Sequence, residues 1–111
     1  MTREESSIEN TKAQMRKGVL EFGILLIISR GEVYASDILE ELKEAGLIVV
    51  EGTLYPLLSR LKAGGMLDYV WKESDLGPPR KYYSLTAKGE ETLKEIRSTW
   101  EKLIRSINLL A

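Results

Sequence analysis

Between Tyr55 and Lys62 the chain places two hydroxyl groups, a guanidinium and an ammonium within eight residues: Tyr55, Ser59, Arg60 and Lys62. The hydroxyls can donate to a phosphate oxygen or a base edge, and either cation can neutralise a phosphate. Arg60 carries the planar fork that suits a bidentate contact to guanine. A second cationic pair, Arg80-Lys81, follows Gly77-Pro78-Pro79, a stretch that stiffens a turn. Charges beside a stiff tip can lie along a nucleic-acid backbone or reach a minor groove, releasing counterions. Alone, each group reads as ordinary solvated surface. Together they read as a surface for duplex DNA.

The same inventory excludes most catalysis. The chain has no His, and it has no Cys. An imidazole base, a thiolate nucleophile, a thiolate or imidazole metal site and a disulfide are therefore ruled out. No glycine-rich phosphate loop or convergent carboxylate pair offers another route. Neither enzyme activity nor a cofactor or metal is expected.

The donors need an element to carry them. Leu54, Leu57, Leu58 and Leu61 recur at the i, i+3, i+4, i+7 spacing of one helix face, with the donors opposite. Pro56 is tolerated near a helix start and distorts an interior. The helix should begin close to Gly52–Thr53, with Thr53 as N-cap, or start earlier with a distorted first turn. Gly64-Gly65 ends it. Two alternating runs follow, Met66–Glu73 and Arg80–Leu85, with Leu67, Tyr69 and Trp71 on one face of the first. Ser74 to Pro79 is a concentrated turn signal between them, which predicts a hairpin. Trp71, Tyr82 and Tyr83 read as cross-strand packing that stiffens it.

Upstream, the polar first residues should fray. A long first helix is expected from Ile8 to Ser29, striped by Ile8, Met15, Val19, Phe22 and Leu26. Arg30-Gly31-Glu32 breaks it. Ser36 or Asp37 can cap a second helix, with Asp37 and Glu40 as a capping box, and Gly46 can stop it. Leu47 to Val50 is a short β-prone linker. Downstream, Thr86 caps a last helix to about Leu110. Its seam is Leu93, Ile96, Trp100, Leu103, Ile107 and Leu110, a heptad pattern that asks for a partner helix. Trp100 either fills that interface or props it open around a flat aromatic ligand.

Helix, helix, reading helix and two-stranded hairpin is the order of a winged helix-turn-helix. The fold class is mainly α (α+β): a winged helix-turn-helix with a C-terminal dimerisation helix. Residues 1–7 form a flexible start, 8–85 the DNA-binding domain and 86–111 the dimerisation helix.

Charge placement supports this reading. The chain has 111 residues, enough for one domain, and a net charge of −1, which argues weakly against nucleic acid. Residues 1–51 hold 6 Lys/Arg against 10 Asp/Glu, whereas 52–89 hold 6 against 3, so the positive excess sits on the reading helix and hairpin. The charged N-terminus is no signal peptide, and the apolar run Phe22–Ile28 is too short for a bilayer. A soluble cytoplasmic protein with no membrane contact is expected.

Two blocks also carry a family resemblance. Gly52-Thr53-Leu54-Tyr55-Pro56-Leu57-Leu58-Ser59-Arg60-Leu61, then Gly77-Pro78-Pro79-Arg80-Lys81-Tyr82-Tyr83-Ser84-Leu85-Thr86 with Gly89, resemble the PadR family of bacterial transcriptional regulators, in its short branch. The resemblance implies a homodimer on a palindromic operator, usually a repressor, often responsive to small aromatic molecules. It assigns DNA contact to Thr53, Tyr55, Ser59, Arg60, Lys62, Arg80 and Lys81. By likeness to multidrug-sensing members, it places Trp100 against a planar ligand at the dimer centre, with Met15, Phe22 and Leu26 as the facing wall. One departure stands out. Ala35-Ser36-Asp37-Ile38 occupies the place of the family's Gly-Tyr-Glu-Ile, so Ser36 replaces an aromatic. A winged-helix protein–protein module, or a DNA-binding regulator without a ligand, is the alternative.

Overall fold

The computed structural model describes residues 2–47, 49–75 and 77–111. Among them the order is α1 (Arg3–Ser29), β1 (Val33–Tyr34), α2 (Ala35–Glu44), α3 (Glu51–Ala63), β2 (Leu67–Ser74), β3 (Gly77–Leu85) and α4 (Ala87–Leu110). The core lies where α1, α2, α3 and the sheet meet. Ile24, Leu25, Ile38, Leu42, Leu54, Leu58, Leu61 and Leu67 are its fully buried side chains. Each contributes roughly 1.5–3 kcal/mol by leaving water, so this cluster fixes how α3 sits on the body.

Several boundaries differ from those the sequence predicts. The first helix starts at Arg3, not Ile8, so most of the expected flexible start is helical. Thr2 caps it: its hydroxyl accepts from the Glu5 N–H, and the Glu5 carboxylate accepts from the Thr2 N–H. That reciprocal pair satisfies two amides that a helix start leaves open. The second helix starts earlier too. Tyr34 is its N-cap residue, and Asp37 accepts from the Tyr34 N–H at 3.1 Å, so neither Ser36 nor Asp37 is the cap. At the reading helix the cap is Val50, not Thr53. The Thr53 and Leu54 amides both turn back to the Val50 carbonyl, at 3.0 and 3.1 Å. Pro56 is thus carried inside the helix, which is the earlier-start alternative. Ile48, within the expected linker, lies outside the described residues.

The sheet holds three antiparallel strands in the order β1-β3-β2. β1 has only two residues and was not legible as a strand; Val33 pairs with Tyr83 and Tyr34 with Tyr82. The hairpin runs from Leu67↔Leu85 to Ser74↔Gly77, with an irregularity between Lys72 and Ser74. Gly77-Pro78-Pro79 therefore belongs to β3, and the turn is shorter than expected. Arg80 sits opposite Lys72, and Lys81 opposite Trp71. Both are set back from the tip.

Thr86 caps α4 as expected, accepting from the Gly89 N–H at 3.0 Å. Leu93 is buried and Ile96 half-buried against the body. Beyond them the seam leaves the domain. Leu103, Ile107 and Leu110 are 55%, 64% and 84% exposed in the single chain. Among the described residues no helix is long and apolar enough to cross a membrane.

Candidate nucleic-acid interface

The polar residues of α3 form two stripes rather than one. Tyr55, Ser59 and Lys62 follow one another at i, i+4 and i+7, so they share a face. Thr53, Pro56 and Arg60 share another, and line a groove of about 560 Å³ with Arg16, Lys17 and Leu20 of α1. The expected single donor face is split because Arg60 turns toward α1. Its Nη2 donates to the Glu21 carboxylate at 3.4 Å. Lys62 is paired as well, with Asp68 at 3.3 Å. The Tyr69 backbone N–H, then Lys62, hold the Asp68 carboxyl below its usual range. Both ion pairs are exposed and screened by solvent, so each yields readily to another anion.

On the hairpin, alternation sends Arg80 and Lys81 to opposite faces. Lys81 shares a face with Tyr69, Trp71 and Tyr83, the face that continues into the core. Its ammonium lies 4.5 Å from the Tyr69 ring centre and 5.5 Å from that of Trp71. Arg80 shares the outer face with Lys72, Tyr82 and Tyr34. Its guanidinium lies 4.2 Å from the Tyr34 ring centre, and Nη1 makes a long contact of 3.5 Å to Ser36 Oγ. The two cations nonetheless border one concavity. It measures about 310 Å³ and is lined by Tyr34, Ala35, Ser36, Tyr55, Trp71, Pro79, Arg80, Lys81 and Tyr83. The start of α2, the exposed side of α3 and the hairpin converge there.

Three lining residues were missed as site candidates. Trp71 was read as packing, yet it is 62% exposed and meets Tyr69 edge-on at 6.1 Å. Tyr34 is obscured in the sequence because β1 is too short to show an alternation, and Ser36, at the start of α2, reads there as a helix cap. The Val-Tyr pair before Ala35 was the available signal, since β-branched and aromatic residues favour strands.

The expected ligand wall is brought together in part. Phe22 and Trp100 meet with ring centres 6.0 Å apart. Met15 is 69% exposed, two turns up α1, and Leu26 is half-buried.

A short strand closing an edge, three helices and a β-hairpin stacked on them define a winged helix-turn-helix. The family model described as "Transcriptional regulator PadR-like family" matches residues 24–95. The chain belongs to this family. It is 57% identical to a PadR-like transcription factor from Bacteroides fragilis, whose structure it matches with a TM-score of 0.79 over 92% of this chain and 99% of that one. It is 33% identical to the transcriptional regulator Rv3488 of Mycobacterium tuberculosis, over 85% of this chain and 87% of the relative. PadR of Bacillus subtilis, solved in complex with operator DNA, matches with a TM-score of 0.64 and 28% identity, over 69% of this chain and 45% of that longer protein.

Proposed function

We propose that this transcriptional regulator binds double-stranded DNA, in sequence-specific fashion and as a homodimer, at a palindromic operator in the cytoplasm. The observation that carries the reading is the convergence of Tyr55, Arg80 and Lys81 on one concave face between α2, α3 and the hairpin. The operator-bound relative supports it. Tyr55, Ser59 and Lys62 enter the major groove, while the hairpin cations follow the backbone. Arg60 exchanges Glu21 for a phosphate, a small cost given how exposed that pair is. Two reading helices about 34 Å apart would address successive grooves. Exposed Leu103, Ile107 and Leu110 supply the self-complementary surface that joins the copies.

The regulator acts as a repressor and responds to a planar aromatic molecule at the dimer centre, bordered by Trp100, Phe22, Met15 and Leu26. Release is a population shift: the ligand favours a dimer opening that mismatches the half-site spacing. Selection of bound duplexes from a random pool, with and without flat aromatics, tests the whole scheme. Enrichment of an inverted repeat, with affinity falling steeply as salt rises, is expected. Salt-independent binding, or no enrichment, would leave a protein–protein module instead.

A further inference from the structure

Arg80 and Lys81 differ from the other cations of the α3 and hairpin surface, and of the two only Arg80 lies on the outer face of the hairpin. Arg60, Lys62 and Lys72 each have a carboxylate partner: Glu21, Asp68 and Glu32. Among the described residues no carboxylate lies within ion-pair reach of Arg80. Its neighbours are a ring and a hydroxyl, Tyr34 and Ser36. A stacked guanidinium keeps its N–H edges available for oxygen acceptors. The charge is thus uncompensated yet held in place.

What holds it is fixed in turn. The Tyr34 ring packs on the Tyr82 ring at 4.7 Å, directly across the β1–β3 pair. The Tyr34 backbone is pinned by Asp37, through the bond that starts α2. The Tyr34↔Tyr82 pair is the last of the β1–β3 register, so the edge of β3 is free from Lys81 toward the tip. Arg80 can therefore cross that edge and reach the beginning of α2. A free arginine side chain samples many rotamers, and a stacked ring removes part of that freedom before any anion arrives.

We infer that Tyr34 is a positioning residue that presets Arg80 across the free edge of β3, so that Arg80 and Ser36 together receive one backbone phosphate of the duplex beside the start of α2. This rests on the DNA-binding reading and adds Tyr34 and Ser36 to it. It also gives the departure at Ser36 a physical content. The small hydroxyl leaves room for the arginine beside the Tyr34 ring.

The test is fluorescence anisotropy with a short labelled duplex of mixed sequence, across a salt series. Arg80→Ala should lower the slope of log affinity against log salt by about one. Tyr34→Leu should weaken binding about two- to five-fold, the scale of one exposed cation–π contact. Tyr34→Phe, which keeps the ring, should bind as wild type. The double variant Tyr34→Leu/Arg80→Ala should bind no more weakly than Arg80→Ala alone. An unaltered Tyr34→Leu beside a weakened Arg80→Ala would overturn the inference and leave the DNA reading intact. So would additive losses in the double variant. If the wild-type protein shows no salt-dependent duplex binding, the DNA reading itself fails. Proton NMR of the unbound wild-type protein needs no variant to fold. The Arg80 δ-methylene protons should be shifted upfield by the Tyr34 ring, and unshifted values would overturn the preset.

Discussion

The rings of Phe22 and Trp100 meet at 6.0 Å and an angle of 57°, joining the C-terminal third of α1 to the middle of α4. Their surroundings are unequal. Phe22 is buried, whereas Trp100 is 39% exposed and lies where α4 leaves the domain. One face of the indole is thereby fixed while the rest stays open toward whatever joins α4. That arrangement suits a planar molecule, which could stack on the indole without displacing the core.

From this contact we expect a planar dye such as acridine orange to quench tryptophan emission. Trp100→Ala should abolish the quenching, while Trp71→Phe should keep it. Trp71 is the necessary control because it is the other tryptophan and is more exposed, at 62%. Equal quenching in the two variants would mean that the dye reads surface indoles in general.

The outer half of α4 makes a second expectation testable. Leu103 and Ile107 are i, i+4 neighbours, both largely exposed in one chain. If two copies cover them, Ile107→Glu buries an unpaired carboxylate at the seam. Self-association should then weaken on the order of a hundredfold. Sedimentation equilibrium measures it, with far-ultraviolet dichroism to show that the domain remains folded. A monomeric wild type, or an unaffected variant, would remove this seam from the interface.

How much of this was legible depended on the length of each pattern. The i, i+3, i+4, i+7 leucines of α3, the alternation of β2 and the capped seam of α4 each repeat often enough to fix an element's type. Of the leucines, Leu54, Leu58 and Leu61 are buried, and Leu57 half-buried at the α1 groove. β1 has two residues and no period to read. Cap positions slipped because side-chain preference gives the kind of residue but not the turn it serves. Asp37 acts from inside α2, and Val50 caps α3 without a side-chain bond. The site was legible as an inventory of donors, not as a geometry. Arg60 faces α1 because Glu21 lies there, a contact across 39 residues of sequence that no local pattern carries.

Gly89 offers a sharp test of the join between α4 and the hairpin. A Cβ built on it would lie 2.1 Å from the Met66 backbone carbonyl oxygen. That oxygen also accepts from the Thr86 N–H at 3.1 Å, so it cannot withdraw without loss. Gly89→Ala should destabilise the domain by about 3 kcal/mol, the upper end for overpacking, and outweigh the roughly 1 kcal/mol that alanine gains in a helix. Urea unfolding of the two proteins gives the difference. A variant as stable as wild type would show that α4 can shift off β2, loosening the frame assumed for the hairpin.

Tyr83 supplies the pH dependence. It is 4% exposed, in the middle of β3, and burial, followed by the phenols of Tyr55 and Tyr69, raises its pKa above the ordinary tyrosine value of 10.0. The native state therefore favours the neutral phenol more than the unfolded chain does. Below the unfolded value the contribution to stability is complete. As pH rises from there through the folded value, the unfolded chain sheds the proton first and stability falls. Urea midpoints should accordingly drop as pH rises past about 10, the unfolded tyrosine value, and Tyr83→Phe should flatten that decline, since it removes the ionising group while keeping the ring. Tyr55→Phe should flatten it less, because Tyr55 is 46% exposed and acts on Tyr83 only through charge. An equally steep decline in Tyr83→Phe would mean that this phenol does not govern the alkaline limit.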